Sequence, residues 1–226
     1  MMMQDLDQYI LNHMDAESDY LHALYRSAYI HLMNPRMSSG HLQGRLLKML
    51  VQMVHPHRIL EIGTYAGYSA LCMAEGLDDD GCIVTFEVDD ELEDFTRPWI
   101  EGSPVGHRVQ FVIGDALQEV PKRNETFDFV FIDGDKRQYL AYYELALKYS
   151  TPHAYILADN TLWDGHVVDD DYLREPQTCA IRAFNDQVAA DPRVEKVILP
   201  LRDGLTLMRK TGLPDTTNQT SEETRQ

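Results

Sequence analysis

Phe129-Val130-Phe131-Ile132-Asp133-Gly134-Asp135-Lys136, and further along Tyr155-Ile156-Leu157-Ala158-Asp159-Asn160, are apolar runs that stop on oxygen-bearing side chains. Neither run alternates, which suits strands covered on both faces, as in a parallel sheet packed between helices. Ligands in open parallel sheets bind at the carboxyl edge, so Asp133 and Asp159-Asn160 should meet there if their strands are neighbours. Two carboxylates and one amide oxygen, without His or Cys nearby in sequence, suit a hard cation such as magnesium, calcium or manganese. Lys136 follows Asp133 by three residues, where a neighbouring divalent cation would disfavour its ammonium form and suit it to proton abstraction. A plainer reading is open to each: Asp133 and Asp135 as caps of the following helix, and Lys136 as a solvated lysine at its start.

Outward from these runs, strands and helices alternate from Arg58 onward. Strands are expected at 58–62, 82–87, 109–113, 127–133, 155–159, 194–199 and 205–209, and helices at 68–77, 91–100, 138–149 and 179–190. That order predicts an α/β, doubly wound, mostly parallel sheet. Pro200 to Gly204 is too short for a parallel crossover, so the last two strands should form an antiparallel hairpin at one end. Residues 4–33 carry apolar positions at helical spacing up to Asn34-Pro35, and residues 41–54 form a further helix with Leu42, Leu46, Met49, Leu50 and Met53 as its core stripe. The expected organisation is one domain over 1–210, with a helical extension at 1–55 and a polar, acidic substrate loop at 162–177. A disordered tail at 211–226 completes it.

The strand ending in Glu61-Ile62 runs into Gly63-Thr64-Tyr65-Ala66-Gly67-Tyr68-Ser69 before a helix. Glycines let backbone approach a ligand, and a helix start offers free N–H groups to an anionic carboxylate. The dinucleotide fingerprint requires glycine where Tyr65 stands, which disfavours a nicotinamide cofactor. Glu61, Gly63, Tyr65 and Ser69 are candidate cofactor residues. Glu87 ends the next strand, where a carboxylate can accept from both ribose hydroxyls, and Asp115 ends the one after, within reach of an adenine amino group. Each has a capping alternative. A ribose acid, an adenine acceptor and a glycine loop without a phosphate-binding lysine point to S-adenosylmethionine.

Twenty basic against 37 acidic residues leave a charge of −17, which repels phosphate backbones and anionic membranes. The three cysteines have no framework or zinc spacing and fit a reducing cytosol, and no apolar run reaches membrane-spanning length. A cytoplasmic location is expected.

With these motifs in view, the chain resembles the cation-dependent O-methyltransferases of the catechol and caffeoyl-coenzyme A type, class I enzymes using S-adenosylmethionine, and especially their bacterial members. The resemblance runs from about Met37 to Lys210. It is carried by Glu61 to Ser69, Ile132 to Lys136, Asp159-Asn160-Thr161-Leu162-Trp163 and Asp203-Gly204-Leu205. It implies a Rossmann-like seven-stranded sheet with one antiparallel strand. It also implies a cation, usually magnesium, on Asp133, Asp159 and Asn160, with Lys136 as base. Cofactor contacts are implied from Gly63, Ser69, Glu87, Asp115 and the Asp133 strand end, with Met37 and Ser39 at the entrance. Trp163 would wall the pocket of a hydroxylated aromatic acceptor, and a homodimer is implied. Where the catechol branch has a glutamate after Asp-Gly-Leu, this chain has Thr206, so catecholamine specificity does not carry over. Rival readings are a relative that methylates hydroxyuridine in transfer RNA, a non-catalytic adenosine-binding module, and a metal-dependent hydrolase. The acidic charge counts against the first, the intact Asp133, Lys136, Asp159 and Asn160 set against the second, and Glu87 with the glycine loop against the third.

Overall fold

The computed structural model describes residues 2–212. Seven strands form one sheet: β1 (Arg58–Ile62), β2 (Cys82–Glu87), β3 (Val109–Ile113), β4 (Phe127–Ile132), β5 (Ser150–Asp159), β6 (Val194–Leu199) and β7 (Leu205–Lys210). Their order is β3-β2-β1-β4-β5-β7-β6, and only β7 runs against its neighbours. The chain works outward from β1 in one direction and from β4 in the other. The crevice between β1 and β4 is therefore the topological switch point at which such sheets bind ligands.

Eight helices accompany the sheet among the described residues: α1 (Met2–Asn12), α2 (Asp19–His31), α3 (Gly40–Val54), α4 (Tyr68–Ala74), α5 (Glu93–Glu101), α6 (Ala116–Arg123), α7 (Tyr139–Tyr149) and α8 (Pro176–Ala190). Val130 and Ile132 of β4 pack with Val120, Tyr143 and Phe184 from α6, α7 and α8. Phe129 and Phe131 point the other way, against Leu47 and Val51 of α3 and Met73 of α4. Because both faces are covered, every position of the run is apolar, and burial of each such side chain contributes about 1.5–3 kcal/mol.

Several expectations are corrected. The 4–33 region is two helices, because Ser18 starts a new one by accepting the Leu21 N–H at 3.3 Å. The stripe expected to bury α3 is displaced: Met49 and Met53 are 59 % and 75 % exposed, while Gln43, Gly44, Leu47 and Val51 face inward. Gly44 decides this, since a Cβ there would lie 2.6 Å from Cys72 Sγ and 2.9 Å from the Tyr68 ring, so the closest helix contact falls on the residue without a side chain. The helix α6 escaped the pattern because it is short and contains Pro121. The 162–177 stretch is a 3-10 segment, Trp163–Val168, followed by turns, and α8 already begins at Pro176. Of the 211–226 tail, all but Thr211 and Gly212 lies outside the described residues.

The β1 tip is pressed against the β4 tip. Asp133 N–H donates to Ile62 O at 2.8 Å, and Gly63 has a φ of +98°. A Cβ on Gly63 would stand 2.4 Å from the Asp133 carbonyl oxygen, so this glycine is demanded first by protein backbone, where a ligand's approach was expected to demand it. Gly63→Ala is expected to cost about 2–4 kcal/mol through φ strain and this clash, read as a fall in melting temperature of roughly 5–12 °C. A melting temperature equal to wild type would refute the close approach.

Candidate active site

A cleft of about 1410 Å³ opens over the switch point. Met37 and Ser39 line it from the segment before α3, Gly63 and Tyr65 from the loop after β1, Ser69 from the start of α4, Glu87 from β2, and Asp133 and Lys136 from beyond β4. Asn160, Trp163, Arg202 and Asp203 close the other side. A smaller depression of about 350 Å³, lined by His57, Asp128 and Thr151, lies at the opposite sheet edge and touches none of the motifs.

In the half nearest β1 and β2, Glu87 Oε2 accepts the Tyr65 N–H at 2.7 Å and Oε1 accepts the Asp89 N–H at 3.1 Å. A carboxylate offers about four acceptor positions, so lone pairs remain for hydroxyls in the cleft. Two expected cofactor residues do not reach that space. Glu61 is fully buried beneath the loop, where its oxygens accept from Ser69 Oγ at 2.6 Å and Thr85 Oγ1 at 2.5 Å. Burial, reinforced by the charges of Asp133 and Glu87, pushes its carboxyl up to about 8, against the pull of the two hydroxyls; in the acid form that this favours at pH 7, the carboxyl proton goes to Thr85 Oγ1, which donates on to Thr64 Oγ1 at 2.6 Å. Asp115 turns into α6 and caps it, accepting from Leu117 N–H at 2.9 Å, while Gly114 and Ala116 on either side line the cleft.

In the other half, the parallel register sets Ile132 opposite Ala158, so Asp133 and Asp159 leave the sheet side by side. Asp159 lies just behind the cleft wall, 2 % exposed. Burial pushes the Asp133 carboxyl up to about 7, with Lys136 opposing and Asp159 adding to the rise, and burial raises Asp159 as well. The Lys136 amine donates to Asp133 Oδ1 at 2.8 Å and to the Tyr139 hydroxyl at 2.6 Å. Tyr139 in turn donates to the Asp159 carbonyl at 2.9 Å. Asn160, at a φ of +56°, donates its amide to Asp203 Oδ2 at 3.0 Å. A carboxylate only accepts, so the Asn160 NH₂ is fixed toward Asp203 and its carbonyl oxygen is left over. No group of three His, Cys, Asp or Glu side chains among the described residues is placed to hold a metal, and the oxygen set here consists of two carboxylates and an amide.

Three participants were not singled out from the sequence, and Asp203 entered only as part of the Asp203-Gly204-Leu205 motif. Tyr139 looked like core, and Arg202 and Asp203 sat in a short hairpin link. Gln43 lay off the stripe expected to face the core, and its amide donates to Asp159 Oδ2 at 2.6 Å. Thr206, the departure noted above, is buried with its hydroxyl on Thr161 at 2.8 Å.

A family profile described as O-methyltransferase matches residues 12–211. The chain belongs to the O-methyltransferase family. It is 37 % identical over 186 residues to the caffeoyl-CoA O-methyltransferase of Petroselinum crispum, covering 77 % of each chain. The structure of an O-methyltransferase from Bacillus cereus in complex with SAH matches at a TM-score of 0.84 and 33 % identity, over 91 % of this chain and 97 % of that one. TomG, the O-methyltransferase from Streptomyces achromogenes involved in tomaymycin synthesis, in complex with SAM, matches at a TM-score of 0.83 and 29 % identity, over 92 % and 96 %. This O-methyltransferase is thus S-adenosylmethionine-dependent and of the caffeoyl-CoA enzyme type, on a Rossmann-like fold. Its glycine loop rests on the neutral Glu61, so Glu61→Gln should shift the melting temperature at pH 7 by no more than about 3 °C. Glu61→Ala, which strands two hydroxyls beside a cavity, should cost about 2–4 kcal/mol. Equal losses from both would show that the charge of Glu61 matters.

Proposed function

We propose that this O-methyltransferase transfers the methyl group to one hydroxyl of an ortho-dihydroxyaromatic small molecule and requires a divalent cation. The observation that carries the reading is the convergence of Asp133, Asp159 and Asn160 beside the Lys136 amine at the wall of one large cleft. The donor set fits a hard cation: a half-buried carboxylate raised in part by the charge of the buried one beside it, and an amide whose NH₂ is occupied so that its oxygen is free. Magnesium suits these oxygens, and calcium or manganese could replace it.

When bound, S-adenosylmethionine supplies an electrophilic methyl group, and a divalent cation lowers the pKa of hydroxyl oxygens beside it. The remaining work belongs to side chains. Glu87 accepts from the cofactor's ribose, with Met37 and Ser39 bordering the entrance and Gly114 and Ala116 offering the adenine wall. Trp163 gives the acceptor ring an apolar face. Lys136, oriented by its N–H bonds to Asp133 and Tyr139, is the base that takes up the acceptor proton. Holding the two reactants in line can contribute several kcal/mol, within the roughly 7–11 kcal/mol limit for oriented reactants.

The cleft rim mixes Arg36, Arg137 and Arg202 with Asp89, Glu91 and Asp135, and this mixture supports a small acceptor over a phosphate backbone. The outward Met49 and Met53 of α3 support a homodimer. No helix among the described residues is long and apolar enough to cross a membrane, and a cytosolic site of action is part of this reading.

Lys136→Ala should lower kcat by about 10²–10⁴-fold while changing cofactor affinity by less than about threefold; unchanged turnover removes the lysine from the mechanism. A chelator should abolish activity across a panel of diphenols and magnesium should restore it. Because Asp133 holds its proton below about 7 in the cation-free protein, cation affinity should climb as pH rises through 7 and level off above. Full activity in chelator, or an affinity flat from acid to neutral pH, would reject the cation.

A further inference from the structure

Gln43 is a fully buried glutamine on the inward face of α3, a position where an apolar side chain would meet the packing demand. Burying an amide is costly unless both ends are satisfied. Here both ends are: Nε2 donates to Asp159 Oδ2 at 2.6 Å, and Oε1 accepts from Arg202 Nη1 at 3.2 Å. A guanidinium only donates and a carboxylate only accepts, so this amide has one permitted orientation. The same Arg202 Nη1 also donates to the Ser39 carbonyl, and Nη2 donates to the Arg36 carbonyl at 3.3 Å. One hydrogen-bonded chain therefore ties the β6–β7 turn, the entrance segment 36–39 and the start of α3 to the tip of β5.

We propose that Gln43, held by Arg202, is a positioning residue that fixes the Asp159 carboxylate for the divalent cation. This rests on the cation reading given above. Asp159 Oδ1 is engaged by the Asn160 N–H at 2.9 Å and Oδ2 by Gln43, so the carboxylate plane is pinned from two sides while each oxygen keeps a lone pair. Without the amide, the carboxylate is free to turn about its Cβ–Cγ bond, and an incoming cation must bear the cost of ordering it. Outer hydrogen-bond partners of metal ligands typically matter by about 10–100-fold in metal affinity.

The test is titration of the full chain with Mn²⁺ by calorimetry, in the presence of S-adenosylhomocysteine, for wild type and Gln43→Met. The expected result is a dissociation constant for Mn²⁺ raised about 10–100-fold, with S-adenosylhomocysteine affinity in chelator unchanged within about threefold; the melting temperature falls as well, because Asp159 Oδ2 and Arg202 lose a partner. A purely structural glutamine would move the melting temperature and leave Mn²⁺ binding alone. Wild-type binding of Mn²⁺ that Gln43→Met leaves untouched overturns this inference and spares the cation reading. A wild-type chain that binds no Mn²⁺ overturns both. Should the variant fail to fold, the question passes to the wild-type chain: its assigned Gln43 side-chain amide resonances must shift as Mg²⁺ saturates the site, and resonances that stay in place overturn the proposal.

Discussion

The functional edge depends on the parallel register that aligns Ile62 of β1, Ile132 of β4 and Ala158 of β5. In a parallel ladder all carboxyl ends emerge at the same edge, and aligned registers bring them out at the same height. Gly63, Asp133 and Asp159 are the next residues along the three strands, so they become neighbours without any long side chain reaching for another. The crowding is severe enough that the first of them must lack a Cβ. A slip of one residue in the β4–β5 pairing would turn Asp133 and Asp159 to opposite faces.

Placing two carboxylates side by side in a buried edge of a chain with net charge −17 is electrostatically unfavourable, and the surrounding groups are arranged to offset it. Lys136 donates to Asp133, Gln43 and the Asn160 N–H donate to Asp159, and Arg202 lies close enough to lower both. The residual cost appears as the raised carboxyl of Asp133. A divalent cation would remove it, which links the chemistry proposed for the site to the way the fold tolerates the site. Glu61 is handled differently: buried beneath the glycine loop, it is close to neutral at pH 7 and serves as a hydrogen-bonding post for Ser69 and Thr85.

Backbone strain collects at the same edge. Tyr65, Asn160, Trp163, Asp164 and Arg202 all have φ between +47° and +56°, in the left-handed region that side chains other than glycine seldom enter. They sit in the loops after β1 and β5 and in the β6–β7 turn, which cross-brace one another: Thr161 and Leu162 donate to the carbonyls of Gly204 and Asp203 at 3.0 and 2.7 Å. Such conformations persist only where neighbours over-determine them. Here the braces hold Asn160 and Trp163 in the cleft wall.

The amino-acid sequence by itself determined the alternation of strands and helices, the terminal antiparallel hairpin and the carboxyl-edge motifs, because unbroken apolar runs and oxygen-bearing strand ends are local signals. It also placed Asp133 and Asp159 at strand ends, a local position that folding leaves unchanged. Tertiary structure alone decided which face of α3 turns inward, because that follows from where Gly44 lets α4 come closest. It decided that Glu61 supports the loop from beneath, held by Ser69 and Thr85, and it settled the cap over the cleft for Asp115. It alone brought Gln43, Tyr139, Arg202 and Asp203 to the site. Their partners lie far away along the chain or behind the wall, and no spacing rule encodes a hydrogen bond across 116 residues.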